Sequence, residues 1–299
     1  MQTAERINRL KKLRNAVILA HFYQPPEIQD AADLVGDSFD LSRRARDTDA
    51  DVIVFCGVLF MGESAKILSP HKTVLMPVLE AGCPMADMMT AKDIAELRRG
   101  HPDAVVMTYI NSSAEVKAAS DICCTSSNAV RLAKALPDDE IIFVPDRNLG
   151  AYVAKAVPEK RFILFSGYCP VHDNVTPGDV ARARSEHPGV PLLVHPECPL
   201  PVSDAADFVG STSQIIDYAR RSADKEFVIG TENGILHMLK KQNPDKTFHM
   251  LALDFVCEDM KKARLEDVAD SLEHMRHRVE LDEKTIEGAL GSLDRMLNT

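Results

Sequence analysis

Tryptophan is absent from this chain, and aromatic residues make up only 5% of its 299 positions. A core without large rings has to be packed from aliphatic side chains, which suits layered α/β packing. No apolar run approaches the ~18 residues of a membrane-spanning helix, and MQTAERINRLKKL at the start reads as an amphipathic helix rather than a signal peptide. No broad basic face is available either. The net charge is −10, so general nucleic-acid binding, which needs cations to neutralise phosphates, is excluded. Low-complexity linkers are missing, and the Pro-rich and Gly-rich spots PLPV and HPGVP read as loop punctuation. Seven cysteines without a secretory signal imply reduced thiols and a cytoplasmic protein. A 45% hydrophobic content is enough to bury two or three domain cores.

The chain does contain internal repetition. AVILAHFYQ (16–24), AVVMTYINS (104–112) and PLLVHPECP (191–199) align without a gap, placing His21, Tyr109 and His195 in one column with spacings of 88 and 86 residues. Asp33, Asp121 and Asp207 form a second column with the same spacings. Asp93, Asp179 and Asp267 form a third, and Cys83, Cys169 and Cys257 a fourth, each spaced by 86 and 88. Several columns sharing one period indicate duplication, and the period is longer than that of solenoid units. Each unit is therefore a small α/β domain, with limits at 1–83, 84–169 and 170–259. Residues 260–299 read as helix packing back on a neighbouring domain.

Within the second unit the pattern predicts helix 90–99, strand 104–109, a polar loop over 112–118, helix 126–136, strand 140–144, helix 147–156 and strand 161–166. Buried apolar strands alternating with helices imply parallel sheets. The expected fold is α/β: three homologous three-layer α/β/α domains with parallel sheets, in a pseudo-threefold arrangement around a central site. Ligands gather beyond the carboxyl ends of such strands, which places the His21/Tyr109/His195 column on one side of each sheet, facing a common cavity.

The fourth column carries the chemistry. VLMPVLEAGC, RFILFSGYC and FHMLALDFVC each read as a strand ending on a thiol, and three thiolates on one axis suit a metal cluster better than a disulfide. Three ligands leave one metal position open for substrate, the mark of a catalytic centre. Cys56, Cys123 and Cys124 read as buried small hydrophobes, while Cys198 could be a fourth ligand, an idle thiol or a redox partner. His172, three residues after Cys169, joins His21 and His195 as a candidate for acid–base chemistry near neutral pH, against the plainer role of a hydrogen-bonded structural histidine. Glu197 points toward the same place if its strand is still extended, and is otherwise a solvated loop carboxylate. Glu63 and Lys66 read as helix-surface or supporting residues. The loops GDS (36–38), TSSN (125–128) and GSTS (210–213) each open a helix. Their Ser and Thr residues are N-cap types, which is compatible with anion binding at the helix ends.

AHFYQ (20–24), DSFDLSRRA (37–45), FCGVLFMGESAKIL (55–68), YINSSAEVKA (109–118), CTSSNA (124–129), CPVH (169–172), HPEC (195–198) and GSTSQ (210–214) together resemble the quinolinate synthase family, in its compact form and over essentially the whole chain. The resemblance implies three α/β domains around a 4Fe–4S cluster held by Cys83, Cys169 and Cys257, with one open iron acting as a Lewis acid. It implies condensation of iminoaspartate with dihydroxyacetone phosphate to quinolinate, on the route to NAD. It assigns proton transfers to His21, Tyr23, Tyr109 and Glu197, orientation of the nitrogen-bearing substrate to Asn111 and His195, and carboxylate or phosphate binding to Ser38, Ser126, Ser127, Ser211 and Thr212. His172 would support the ligand or substrate position, and Glu232 would contact substrate. A transient contact with an iminoaspartate-producing enzyme is implied as well. The chain departs from the family at Glu258-Asp259, where Pro-Asn is common, which opens the question of the turn after Cys257. It also lacks a C-terminal CxxCxxC. Two other readings stay open on the residues alone: a different 4Fe–4S hydro-lyase acting on a polycarboxylate, and a small-molecule receptor whose thiols hold structural zinc.

Overall fold

Runs such as VVMTY and VIVFC are apolar on both faces, so they are stable only where helices cover both sides of a sheet. A computed structural model describes residues 2–299 and shows three such sheets. The first unit runs α1 (Gln2–Arg14), β1 (Ala16–His21), α2 (Pro26–Ala31), β2 (Leu34–Gly36), α3 (Ser38–Asp47), β3 (Val52–Cys56), α4 (Leu59–Leu68) and β4 (Thr73–Leu75). The second runs α5 (Ala91–Gly100), β5 (Val105–Tyr109), α6 (Ala114–Ala118), β6 (Ile122–Cys124), α7 (Ala129–Ala135), β7 (Glu140–Val144), α8 (Arg147–Ala156) and β8 (Arg161–Leu164). The third runs α9 (Pro170–Asp173), α10 (Pro177–Glu186), β9 (Leu192–Val194), α11 (Leu200–Asp204), β10 (Phe208–Val209), α12 (Thr212–Arg221), β11 (Glu226–Gly230), α13 (Ile235–Gln242) and β12 (Thr247–Met250), before α14 (Leu265–His274) and α15 (Glu283–Asn298).

Every sheet has the same order, second strand, first, third, fourth, and every pairing within them is parallel. The connections leave in opposite directions between the first and third strands, which opens a crevice at their carboxyl ends. His21 ends β1, Tyr109 ends β5 and His195 follows β9, so the column predicted to face a cavity stands at all three crevices. Among the described residues no helix is long and apolar enough to cross a membrane.

Two of the repeated aspartate columns are structural. Asp33, Asp121 and Asp207 each precede or open the second strand. Their carboxylates accept from the backbone N–H of Ile18, Val106 and Leu192 at 2.8, 2.7 and 2.7 Å. Their own N–H groups donate to the carbonyls of the same three residues. Each aspartate thus ties its second strand to the first by a two-bond clamp. Asp93, Asp179 and Asp267 occupy the third position of α5, α10 and α14, where the carboxylate receives the N-cap backbone N–H of a capping box.

Three predicted elements differ from the structure. Each sheet has four strands, because β2, β6 and β10 are only two or three residues long and carry too little pattern to be seen in sequence. The polar stretch 112–118 contains α6, whose first turn is capped by Ser113 Oγ accepting from Val116 N at 3.3 Å. The cysteine lead-ins are not continuous strands. β4, β8 and β12 stop at Leu75, Leu164 and Met250, and the thiols lie on loops beyond them. Pro77 and Gly167 interrupt the first two runs, and neither residue type sustains a ladder. In the C-terminal stretch α14 lies on α1 and β3 of the first unit, and α15 on α4 of the first unit and on α6 and β6 of the second.

Asp121 provides the test of the clamp. Asp121→Ala should lower unfolding free energy by about 1–2 kcal/mol in a denaturant titration, whereas Asp121→Asn, which retains an acceptor, should lose less. Equal stability of all three proteins would show that the clamp does not hold β6 to β5.

Candidate active site

The three crevices open into one cavity, lined from all three units. Cys83, Cys169 and Cys257 reach it from their loops, together with His21, Tyr23, Tyr109, Asn111, His172, His195 and Glu197. Ser38, Ser126, Thr212 and Glu232 complete the predicted residues found in its wall. Ser127 and Ser211 do not line it. The Ser127 hydroxyl meets Thr125 Oγ1 at 2.8 Å, and Ser211, fully buried as the N-cap of α12, donates to Asp37 Oδ2 at 3.1 Å. Glu63 accepts from Ala114 N at 2.9 Å, and the Lys66 ammonium donates to the carbonyls of Pro70 and Lys72.

A chain of polar contacts crosses the cavity, and His172 Nδ1 within it also meets Cys169 Sγ at 3.2 Å. Tyr23 Oη lies 2.7 Å from Thr231 Oγ1 and 3.0 Å from Thr212 Oγ1. Thr231 Oγ1 lies 2.9 Å from His172 Nε2, and His172 Nδ1 lies 2.8 Å from Glu197 Oε2. Tyr109 also hydrogen-bonds Glu197, and His195 Nδ1 stands 3.6 Å from the same carboxylate. His195 Nε2 reaches Ser126 Oγ at 3.1 Å. His21 Nδ1 accepts from Tyr23 N at 3.2 Å, which in the neutral ring leaves the proton on Nε2. The Asn111 carbonyl oxygen is buried and has no partner within the protein. Such an atom in a cavity wall calls for a donor on a ligand.

Burial sets the protonation states. It lowers His21 to about 3, helped by the charges of His195 and Lys261, and lowers His195 to about 4 against the opposing pull of Glu197. Burial likewise pushes the Tyr23 and Tyr109 phenols up, with Glu197 adding to the effect, so both remain donors. For Glu197, burial acts upward but is outweighed by His195 and His172 and by hydrogen bonds from His172 and Tyr109, which hold the carboxyl below its usual range.

The thiols show what they are suited to hold. Burial drives Cys83 up to about 12 and Cys257 to about 11, and raises Cys169 as well. Alone they stay protonated. Backbone N–H groups nonetheless aim at all three sulfurs: Ala86 and Met85 at Cys83, His172 at Cys169, Met260 and Asp259 at Cys257. Donors directed at sulfur suit thiolates, and buried thiolates require a bound cation, so the donor set fits a metal group. Cys169 Sγ, a His172 ring nitrogen and a Glu197 oxygen also lie within 4.8 Å of one another. Cys56, Cys123 and Cys124 are buried in β3 and β6 as expected. Cys198 is fully buried behind the wall, its sulfur 3.6 Å from the Gly230 carbonyl.

Several supporting residues escaped sequence reasoning. Thr231, the link between Tyr23 and His172, has only its place after β11 as a signal. Glu232, which was expected to contact substrate, also holds the Cys257 loop, its carboxylate accepting from Gly234 N at 2.7 Å, Cys257 N at 3.2 Å and Lys261 Nζ at 2.8 Å. A Cβ on Gly234 would stand 2.7 Å from Tyr23 Cα, so only glycine allows this approach of the first unit to the third. Gln29 Nε2 secures the same junction, donating to the carbonyls of Phe22, Gln24 and Gly234 at 2.8, 2.9 and 3.0 Å. The Glu258-Asp259 departure falls within a short helical turn. Residues Glu258–Lys261 form a 3-10 turn, and Asp259 Oδ1 accepts from Gly82 N at 2.9 Å, linking the turn after Cys257 to the residue before Cys83.

Comparison with known proteins places this geometry in a family. The family described as Quinolinate synthetase A protein matches residues 5–298. A quinolinate synthase of Caldicellulosiruptor bescii is 53% identical over 291 residues, covering 97% of this chain and 96% of the relative. One from Alkaliphilus metalliredigens is 53% identical over 293 residues, covering 98% and 97%. One from Clostridium perfringens is 50% identical over 296 residues, covering 99% and 98%.

The depressed histidines generate a pH dependence. Because His21 and His195 are neutral when folded and titrate from 6.5 when unfolded, the stability they confer is complete above pH 6.5 and is lost as pH falls toward about 4 and then about 3. Metal-free protein should therefore show a melting temperature that declines below pH 6.5, and less steeply in His21→Asn. Parallel pH profiles for the two proteins would contradict a buried neutral His21.

Proposed function

This chain belongs to the Quinolinate synthetase A protein family, and from that premise we propose that it forms quinolinate from iminoaspartate and dihydroxyacetone phosphate, for NAD biosynthesis. Atoms balance when one phosphate and two waters leave. The supporting observation is the convergence of three loop cysteines from three sheets on a cavity crossed by the Tyr23–Thr231–His172–Glu197 chain. Cys83, Cys169 and Cys257 would hold a 4Fe–4S cluster, which when bound supplies a Lewis acid at the iron that no cysteine ligates.

The protein's own groups suit the remaining steps. Both substrates are anionic, yet among the described residues no Arg or Lys lines the cavity. Recognition instead falls to neutral donors and helix ends: Ser38 and Thr212 open α3 and α12, and Ser126 stands just before α7. Asn111 Oδ1, lacking a protein partner, would accept a hydrogen bond from the substrate nitrogen, and His195 lines the same cavity. Glu197, kept anionic, is the base for a proton leaving substrate carbon. The phenols of Tyr23 and Tyr109 and the Nε2–H of His21 are acids for departing oxygens. Protons taken up at Glu197 can pass through His172 and Thr231 to Tyr23, since each step of that chain spans no more than 2.9 Å. His172 thereby acts as a relay, while Glu232 positions the Cys257 loop. We place the enzyme in the cytoplasm, taking iminoaspartate in transient contact with the enzyme that makes it.

Two measurements test this assignment. In anaerobically purified protein, Cys83→Ser, Cys169→Ser and Cys257→Ser should each lose the iron, sulfide and visible absorbance that Cys198→Ser keeps; zinc in place of iron would refute the cluster. Tyr23→Phe and Glu197→Gln should retain iron while turnover to quinolinate falls by about 10²-fold or more. Unchanged turnover in either variant would remove that residue from the mechanism.

A further inference from the structure

At the outer end of the third sheet, two imidazoles and a carboxylate meet that the reaction does not use. His187 follows α10, Glu226 opens β11 and His249 lies in β12, the edge strand. In the parallel register Glu226 pairs with Thr247 and Val228 with His249. Alternate residues of a strand share a face, so Glu226 and His249 project to the same side. The imidazole of His187 stacks on that of His249, with ring centroids 3.8 Å apart and planes 24° from parallel. His249 Nε2 stands 3.4 Å from Glu226 Oε2, and one donor atom from each of the three residues lies within 4.8 Å of the others. Glu226 begins the strand whose other end leads to Thr231 and Glu232. At about 3.3 Å per residue the cluster is about 20 Å from the cavity.

We propose that His187, Glu226 and His249 form a second, surface metal site for a divalent transition ion, with Zn²⁺ the best chemical match. Two imidazoles and one carboxylate are the donors that borderline ions prefer, whereas Ca²⁺ and Mg²⁺ select oxygen. Three protein ligands leave the fourth tetrahedral position to water. Zinc bonds of about 2.0–2.1 Å bring donor atoms to about 3.3 Å from one another; the three donors already lie within 4.8 Å of each other, and closure requires the stacked imidazoles to turn so that both nitrogens face one ion. The side chains have that freedom, since Glu226 is exposed, both histidines are half-buried, and the contact between His249 and Glu226 is long. The adjacent cation Lys225 is engaged by Asp245. A bound ion would pin the C-terminal end of α10 to β11 and β12, and would stabilise the folded third unit by mass action.

The test is equilibrium dialysis of zinc sulfate against iron-loaded wild type, His187→Ala/His249→Ala and Glu226→Gln at low-micromolar free zinc. Wild type should retain one more zinc per chain than the double variant, and Glu226→Gln most of one fewer than wild type. Zinc should raise the melting temperature of wild type but not of the double variant, with quinolinate formation the same in both. Equal zinc content in wild type and the double variant overturns the site, whether both bind or neither does. Equal thermal shifts overturn it too. If the double variant fails to fold, Glu226→Gln decides by the same comparison.

Discussion

A carboxylate buried as deeply as Glu197 is stable only when charged or polar partners surround it, and its partners come from separate parts of the chain. Tyr109 belongs to the second sheet, His195 follows the first strand of the third, and His172 stands on α9 just after a thiol loop. Tyr23, from the first unit, joins through Thr231. Were any unit to move away, the network would lose a donor in a place that water does not readily replace. The same need for satisfaction that holds the units around the cavity also lines up the groups proposed to carry protons, so packing and the proposed chemistry rest on one set of contacts.

Repetition supplied the frame on which this network formed. The Asp33/Asp121/Asp207 clamp and the Asp93/Asp179/Asp267 caps perform one structural task three times. The column at the carboxyl ends of the first strands has diverged to His21, Tyr109 and His195. Backbone geometry is common to all units and needs the same residue each time, whereas a single asymmetric substrate needs different groups at each wall. Cysteine recurs in its column, and the three sulfurs reach one cavity.

The second strands were hidden because two or three residues cannot display a period. The thiol loops were read as strand because their apolar residues, such as Met76 and Phe255, are buried in loops rather than ladders. Ser127 and Ser211 carried the same helix-opening pattern as Ser38 and Ser126, and only the packing of neighbouring units separates those whose hydroxyls face the cavity from those already engaged.

Sequence alone was enough for the α/β class and its three repeated units, because apolar runs and a fixed spacing record them, while the cysteine spacing and the family resemblance together pointed to residues that line the cavity. Tertiary structure decided the rest. Thr231 meets His172 across 59 positions, Asp259 reaches Gly82 across 177, and Gly234 admits the backbone of Tyr23. Hydrogen bonds and close approaches of this kind depend on how separate sheets pack, and no period along the chain records them.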